Sequence, residues 1–346
     1  MNIDTVRDLL DTGAAVAPHG RDSKPGLHAP GRAVRASSGI LAYHPEEFVF
    51  TAKAATPISE MVEVLANRNQ HLPVDPPFAH EGSLGGLVAS GLSGPGRFRY
   101  GGVRDFLLGI RFVDGQGAVY RGGGRVVKNA SGFDFPKLFV GSLGAFGLLL
   151  EVTFKVFPAP QARRAFYLET PDFATAHQVL IRLANRPFDL EALDLLAPRR
   201  LYLRLAGRAT AIDKRLRALT TELEPFGEVQ EAPLETDPAR MEGEMLVFLP
   251  TAPSELANTE NALSSILDQR RYQAGGTGLW GTLPESRRPE LARALGDHGL
   301  TALVARGRTG PWLGIPPKGE PFFQRVKSVL DPKGRFPNPF KVTHAT

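Results

Sequence analysis

Residues 99–152 have the sequence RYGGVRDFLLGIRFVDGQGAVYRGGGRVVKNASGFDFPKLFVGSLGAFGLLLEV, and they decide how the rest of the chain is interpreted. Glycines recur through this stretch singly, in pairs and once as a triplet, without forming a repeat. The runs between them contain too much Leu, Phe and Val for a flexible linker. The stretch therefore has to fold, and its bare backbone indicates that something approaches the main chain closely.

The composition is that of a folded protein without thiol chemistry. A length of 346 residues suits two domains of ordinary size, and a hydrophobic content of 42% is typical of globular proteins. The chain contains no cysteine, which excludes disulfides, thiolate metal sites and iron–sulfur ligation by its own residues. Any iron–sulfur centre that exchanges electrons with this chain would have to lie on a partner.

Charge and hydropathy predict a cytoplasmic protein. No apolar run approaches the roughly 18–20 residues that cross a bilayer. The first residues, MNIDTVRDLLDTGAAV, carry acids where a secretory signal carries bases. The formal net charge is +5, and the basic residues are scattered along the chain, which favours a role in solubility over nucleic-acid binding.

Periodicity predicts an α+β fold in two parts. Leu107–Val113 and Ala118–Arg121 alternate like strands around an Asp-Gly turn, which predicts a hairpin. Ser83–Leu92 is predicted as a glycine-containing helix, and Pro57–Asn69 as a helix capped by Thr56. After PAPQARR the pattern alternates strand and helix with few glycines. We therefore expect a domain boundary near residue 160.

The first of three glycine-bearing segments that could hold phosphates is Gly20-Arg21-Asp22-Ser23-Lys24. A tight turn here would point successive N–H groups outward as an anion-binding nest, with Ser23 and Lys24 as further donors. An ordinary surface turn is the alternative.

The second segment runs from Ser83 to Gly91 and places small residues at the head of the predicted helix. They would leave N–H groups open to a pyrophosphate, or they would allow tight packing on a neighbouring element. The segment is neither a dinucleotide GxGxxG nor a Walker A motif.

The third segment contains Lys128 and Asn129, followed by residues 141–147, GSLGAFG. Polar groups between an apolar strand and a helix are costly to bury unless they are paired. A cofactor rich in acceptors would pair them, and a purely structural network is the alternative.

These segments resemble a known family. The stretch KNASGFDFPKLFVGSLGAFGLLLEVTFKVFP is similar to a motif of FAD-binding, vanillyl-alcohol-oxidase-type (PCMH-type) flavoproteins. Within them, the chain resembles the FAD-binding E subunits of bacterial glycolate oxidases. The matching stretches occur in order: GRDSK, HEGSLGGLVASGLSGP, YGGVRDFLLGIRFVDGQG, RGGGRVVKNASGFD, GSLGAFG and DPKGRFPNPF. They cover most of residues 13–160 and the C-terminal tail, but little of 161–315.

The resemblance implies a PCMH-type FAD-binding domain of two α+β subdomains and a smaller, ferredoxin-like α+β cap. The FAD-binding domain would comprise residues 1–159, with the tail 320–346 returning to it, and the cap would comprise 160–319. Pyrophosphate and ribose contacts are implied for Gly20, Arg21, Asp22, Ser23, Lys24, Ser83, Gly85, Gly86, Ala89, Ser90 and Gly91. The FAD channel would be lined by Asp105, Ile110, Lys128, Asn129, Gly132, Gly141, Gly144 and Leu148.

The chain departs from the family pattern at several points. Asn338 matches the family's terminal Asn, but it lies in FPNPF, which has an extra proline and lacks the final glycine. Phe133 replaces the usual Tyr. His19 is not where family members carry a covalent flavin link, so we expect non-covalent FAD. No pair among the eight histidines has the spacing of metal ligands, so the sequence predicts no metal site.

The resulting hypothesis is a FAD-binding subunit of a glycolate oxidase complex. It would relay electrons from the oxidation of a small 2-hydroxy acid, with a sister flavin subunit and an iron–sulfur subunit as partners. Association with the inner membrane would be peripheral and through those partners. No residue is assigned to catalysis, although Arg306 and Arg308 could face a carboxylate. A stand-alone FAD-dependent 2-hydroxy-acid dehydrogenase and a cofactor-free scaffold subunit remain the alternatives.

Overall fold

The computed structural model describes residues 3–124, 134–234, 237–308, 310–315 and 319–340. They build two large antiparallel sheets, one of five strands and one of nine, and two small sheets of two strands each, one parallel and one antiparallel. No helix in these ranges is long and apolar enough to span a membrane.

The five-stranded sheet has the order β3-β4-β8-β6-β7. The strands of this part of the chain are β1 (Val16–Pro18), β2 (Arg32–Val34), β3 (Ile40–His44), β4 (Val49–Lys53), β5 (Gln70–His71), β6 (Leu107–Val113), β7 (Val119–Gly123), β8 (Leu148–Lys155) and β9 (Phe157–Pro158). Its helices are α1 (Ile3–Asp11), α2 (Ile58–Ala66), α3 (Leu84–Ser90), α4 (Arg97–Tyr100), α5 (Val103–Phe106) and α6 (Phe135–Phe139). Phe50, Phe112 and Phe154 are fully buried in its core.

The predicted hairpin is confirmed as β6 and β7. Phe112 lies opposite Tyr120 across the pair, and their rings stack with centroids 5.5 Å apart. Asp114 fixes the turn, because its Oδ1 accepts hydrogen bonds of 2.9 Å from the N–H groups of Gln116 and Ala118. Such an Asx turn satisfies two backbone donors at the point where the chain reverses.

The predicted cap of α2 is wrong. The helix begins at Ile58, and Pro57 occupies the N-cap position without a side-chain hydrogen bond. The hydroxyl of Thr56 instead accepts a 2.9 Å hydrogen bond from the N–H of Gly39 and donates to the carbonyl of the same residue. A tertiary partner at the end of β3 thus outcompetes the local cap.

The nine-stranded sheet has the order β13-β10-β12-β11-β15-β16-β14-β17-β18. Its strands are β10 (Ala162–Glu169), β11 (Leu190–Leu196), β12 (Arg200–Gly207), β13 (Val229–Ala232), β14 (Met245–Pro250), β15 (Gln269–Gln273), β16 (Gly278–Leu283), β17 (Thr301–Arg306) and β18 (Trp312–Gly314). The helices are α7 (Phe173–Ala184), α8 (Ala209–Leu223), α9 (Leu256–Leu263) and α10 (Arg288–Asp297). Amphipathic helices bury their leucines against the sheet in one aliphatic core.

The last helix, α11 (Glu320–Leu330), and the turn after it pack on the five-stranded half. The buried ammonium of Lys327 donates to Asp331 at 2.6 Å and to the carbonyl of Ala145 at 2.8 Å. The carbonyl of Leu330 accepts from the N–H of Gly115 at 2.8 Å. These bonds tie the tail to the β6–β7 turn and to the loop before β8.

A buried charge cluster joins the two sheets. Glu191 of β11 and Arg204 of β12 are each 1% exposed and form an ion pair of 2.6 Å. Arg204 also pairs with Asp75, which belongs to the five-stranded half. Arg163 of β10 contacts Glu191 at 3.0 Å and the Nδ1 of His71 at 3.0 Å. Burial is the main reason why the pKa of His71 is lowered to about 4, and the charge of Arg163 adds to the effect. The ring of His71 is therefore neutral at pH 7.

We expect Glu191→Gln to destabilise the protein by about 3–5 kcal/mol, because Arg163 and Arg204 would lose their shared carboxylate in a buried site. Thermal or denaturant unfolding measures the loss. The matched control is Glu231→Gln, which breaks the exposed pair between Glu231 and Arg164 and should cost under about 1 kcal/mol. Equal effects of the two substitutions would show that the junction does not depend on this cluster.

Candidate functional site

One cleft of about 820 Å³ lies beside α3 in the five-stranded half. Three chain segments line it: the loop after β1, helix α3 with its cap, and the stretch from α6 to the start of β8. Residues expected from the sequence that line it are Gly20, Arg21, Asp22, Ser23, Lys24, Ser83, Gly85, Gly86, Ala89, Ser90, Gly144 and Leu148. The fold thus brings together three glycine-bearing segments, of which the first and the third are more than 100 residues apart in the chain.

Helix α3 is held in place by its small residues. Ser83 is the N-cap, and its hydroxyl accepts from the N–H of Gly86 at 3.3 Å. A Cβ on Gly85 would lie 2.9 Å from the Cβ and carbonyl of Ala54, so this glycine permits tight packing against the end of β4. A Cβ on Gly86 would meet only the Ser83 hydroxyl, at 3.2 Å, and would otherwise project into the cleft. Gly85 therefore follows the packing interpretation, and the pyrophosphate interpretation stays a prediction for Gly86.

The third segment docks directly on α3. The N–H of Gly141 donates to the carbonyl of Val88 at 3.0 Å, and the N–H of Leu143 donates to the carbonyl of Ala89 at 2.9 Å. A Cβ on Gly91 would lie 3.1 Å from the Gly141 nitrogen, so the contact needs a residue without a side chain. Gly91 also has φ of +66°, which suits its role as the C-cap of α3.

Ser142 is a buried polar residue in this segment that sequence reasoning missed as a site residue. It is 5% exposed and lines the cleft, and its Oγ has no hydrogen-bond partner among the described residues. A buried hydroxyl without a partner costs free energy, which a polar ligand in the cleft would recover. Its position in the GSLGAFG motif was the available signal.

Lys24 ends the first loop as a buried cation. Its side chain is nearly inaccessible, and its ammonium lies 5.2 Å from the centroid of the Phe78 ring and 3.5 Å from the Ser23 hydroxyl. Burial lowers the pKa of Lys24 to about 8, although the charge of Asp237 acts in the opposite direction. An anion in the cleft would stabilise the charged form.

The remaining expected site residues do not line this cleft. Asp105 accepts from the N–H of Gly102 at 2.8 Å at the start of α5, and Ile110 is buried in the core of the sheet. Asn338 donates to Gln324 at 3.3 Å and accepts from the N–H of Phe340 at 3.1 Å. Gly91 and Gly141 lie behind the cleft at the contact between α3 and the third segment. The predictions for Lys128, Asn129 and Gly132 fall outside the described residues.

A second cavity, of about 1210 Å³, adjoins the cleft and shares Asp22 and Ser23 with it. It lies where the loop before α3 faces the nine-stranded sheet, and its further lining is Pro25, Phe78, His80, Glu81, Asp237, Arg240, Met241, Glu242, Gly243 and Arg306. The Nε2 of His80 lies 3.1 Å from the guanidinium of Arg240. Of the two arginines noted in the sequence, Arg306 lines this cavity and Arg308 does not.

Comparison with known proteins identifies the first part of the chain. The family model of the FAD-binding domain matches residues 3–123. Glycolate oxidase subunit GlcE of Escherichia coli is 31% identical over 88% of this chain and 84% of its own length. A D-2-hydroxyglutarate dehydrogenase of Xanthomonas citri pv. viticola is 30% identical, but over 56% of this chain and 41% of that protein. Glycolate oxidase subunit GlcD of Bacillus subtilis is 28% identical over 45% of this chain and 34% of that protein.

A solved structure supports the fold. An alkyldihydroxyacetonephosphate synthase superposes with a TM-score of 0.72 at 15% identity, and the match covers 96% of this chain and 74% of that one. This likeness concerns the fold alone. The predicted α+β fold of the PCMH type is confirmed, and so is FAD as the cofactor.

We expect Lys24→Met to stabilise the FAD-free protein by up to about 3 kcal/mol at pH 7, because a buried cation is replaced by an apolar chain of similar length. The folded pKa of about 8 lies below the ordinary 10.5, so the unfolded chain binds more protons between these values. Wild-type stability attributable to Lys24 therefore rises from pH 8 to 10.5, and the gap to the variant should shrink over that window. Denaturant unfolding at several pH values measures it.

Lys214→Met is the matched control, since Lys214 is exposed on α8. It should leave the free energy of unfolding almost unchanged at every pH. A Lys24→Met protein that is less stable than wild type at pH 7 would contradict the assignment of Lys24 as a charge buried at a cost.

Proposed function

The chain belongs to the family of glycolate oxidase subunit GlcE, and on that premise we propose that it is the FAD-binding subunit of a 2-hydroxy-acid dehydrogenase complex of the glycolate oxidase type. It is an FAD-dependent oxidoreductase. In the proposed complex it binds FAD and passes on electrons taken from a small 2-hydroxy acid. The observation that carries the proposal is the convergence of three glycine-bearing segments on one cleft.

The residues of the cleft fit an extended, doubly charged dinucleotide. The loop from Gly20 to Lys24 offers backbone N–H groups and the Lys24 ammonium, and these suit a pyrophosphate. The side of Gly86 that faces the cleft leaves room for close approach of a ligand to the main chain. The unpartnered hydroxyl of Ser142 supplies a further donor or acceptor.

Each part of the cleft has a separate task in the proposed mechanism. Lys24 offsets phosphate charge, and its low exposure strengthens that attraction relative to a surface pair. Ser142 and the amides of the first loop fix the position of the dinucleotide along the cleft. Apolar walls from Phe139, Leu148 and Leu149 exclude water. Bound flavin supplies the capacity to accept two electrons.

We propose two partner subunits for the onward transfer. Two of the relatives are named glycolate oxidase subunit GlcE and glycolate oxidase subunit GlcD, and these names support a multi-subunit enzyme. This chain has no cysteine, so a thiolate-bound iron–sulfur cluster that accepts electrons would lie on another polypeptide. The domain division at residues 159/160, with the tail returning to the FAD-binding part, belongs to the same proposal.

A stand-alone 2-hydroxy-acid dehydrogenase is the second candidate, and the cavity beside the cleft favours it. His80, Arg240 and Arg306 there could provide a base and cations for a carboxylate substrate. The same cavity also contains four carboxylates, those of Asp22, Glu81, Asp237 and Glu242. With two guanidinium groups against four acids, the lining does not attract a small organic anion, so we rank electron relay first.

We expect Gly86→Val to abolish FAD retention while the fold is kept, because the added side chain fills the slot that the dinucleotide backbone approaches. Visible flavin absorbance of the purified protein measures retention, and circular dichroism checks the fold. Gly296→Val is the matched control: it lies exposed in α10, with nothing within 4 Å of an added Cβ. A yellow Gly86→Val protein would show that the pyrophosphate lies elsewhere.

Anaerobic mixing with glycolate, or with D-lactate, separates the two enzymatic candidates. After the hydroxy acid is added, an electron-relay subunit should keep its oxidised flavin spectrum for much longer than an active dehydrogenase needs for one turnover. Dithionite should bleach the same flavin at once. Prompt bleaching of the isolated chain by the hydroxy acid would favour the stand-alone dehydrogenase. Wild-type protein that stays colourless after FAD is supplied would support the scaffold alternative and overturn both.

A further inference from the structure

We propose that His19, Asp22 and His28 form a binding site for a divalent transition-metal ion at the mouth of the cleft. The Nδ1 of His19 lies 2.9 Å from the Oδ1 of Asp22, and the Nε2 of His28 lies 3.4 Å from the same oxygen. All three ligand atoms lie within 4.8 Å of one another. The inference uses this chain's residues alone and does not depend on bound FAD.

The distances suit a tetrahedral ion with small adjustments. Zinc binds imidazole nitrogen and carboxylate oxygen at about 2.0–2.2 Å, which places neighbouring ligand atoms about 3.3–3.5 Å apart. The 3.4 Å separation between His28 and Asp22 lies in this range, and the 2.9 Å separation between His19 and Asp22 has to widen by about 0.4 Å. Only the separation of the two histidine nitrogens has to close, and it starts no wider than 4.8 Å.

The backbone brings the two histidines together although they are nine positions apart in the sequence. The N–H of His19 donates to the carbonyl of Val34 at 2.8 Å, which anchors the end of β1. The N–H of His28 donates to the carbonyl of Pro25 at 3.1 Å and closes the 3-10 turn at Pro25–Leu27. Their ring centroids are 4.3 Å apart. This is why sequence spacing did not reveal the cluster.

One oxygen of Asp22, Oδ1, faces both imidazoles of the cluster. The ring of His19 hydrogen-bonds to the Oδ1 of Asp22 through its Nδ1, and the Nε2 of His28 faces the same oxygen. The guanidinium of Arg35 pairs with the other oxygen, Oδ2. Asp22 is thus held as a one-oxygen ligand, in the way that outer hydrogen bonds orient ligating carboxylates. A bridging cation explains why both histidine nitrogens and Oδ1 face a common point.

The donor set selects the class of ion. Two imidazole nitrogens and one carboxylate oxygen suit zinc, cobalt or nickel, whereas magnesium and calcium require oxygen ligands throughout. The side chains of His19, Asp22 and His28 are 14%, 38% and 30% exposed, so a water molecule can fill the fourth position. The positive charge of Arg35 repels the metal ion, so the affinity of this site for zinc should be below that of a buried structural zinc site.

Isothermal titration of the metal-free, FAD-loaded protein with zinc chloride tests the proposal. We expect one zinc per chain in the wild type, and at least a tenfold weaker dissociation constant in both His19→Gln and His28→Gln. His298→Gln is the control, because His298 caps the end of α10 away from the cluster and should bind zinc like the wild type. Thermal unfolding and the flavin spectrum of each variant check folding and FAD content.

Stoichiometric zinc binding that both cluster variants lose and the control keeps would establish the site. Absence of binding in the wild type, or equal binding in all four proteins, would overturn it. The titration is repeated on protein from which FAD has been removed, so a failure of FAD binding and a failure of the metal site give different results. Should one variant misfold, the other still decides the outcome, because each removes one ligand.

Discussion

The close approach of backbone to backbone around α3 is the constraint on which the cleft depends. Gly85 allows the helix to lie against the end of β4, and Gly91 allows it to touch the third segment at Gly141. A Cβ on Gly20 would lie 2.5 Å from the Ser83 hydroxyl, so the first loop also meets α3 without intervening side chains. Because the first loop and the third segment both pack on this short helix, the positions of all three segments around the cleft are fixed. Packing of this kind leaves little room for adjustment.

The nine-stranded sheet is fixed to this arrangement by charge as well as by apolar packing. The cluster centred on Glu191 and Arg204 is buried, and Trp280 adds a second junction by donating to Gln273 at 2.8 Å, which in turn donates to the carbonyl of Ser93 at 3.0 Å. Apolar residues from both halves, including Phe78, surround the Trp280 ring. Buried polar groups of this kind are costly when misplaced, so they specify one relative position of the two sheets.

Local patterns predicted the hairpin of β6 and β7 and helix α3, which the structure confirms. The glycines that line the cleft were implied by the family resemblance, because local patterns left an ordinary turn or tight packing as alternatives. Thr56 and His28 show where this fails: each finds its partner through the tertiary fold, Thr56 at Gly39 and His28 at Asp22. Asp105, whose role in the FAD channel was implied by the family resemblance, forms a local hydrogen bond at the start of α5. Single-residue roles depend on three-dimensional neighbours that spacing does not encode.

Lys24 connects stability with function. Among the described residues, the nearly inaccessible Lys24 ammonium has a 3.5 Å contact with the Ser23 hydroxyl, the Phe78 ring beside it and the charge of Asp237. Its burial still outweighs that charge and raises the free energy of the ligand-free fold. An anionic ligand removes that cost when it binds, so the same residue that weakens the empty protein strengthens the loaded one. Ser142 acts in the same direction, because its buried hydroxyl has no partner among the described residues and would gain one from a ligand. A bound anionic ligand therefore recovers the free energy that these unpaired polar groups cost the empty protein. The groups lie where the glycines leave the main chain open.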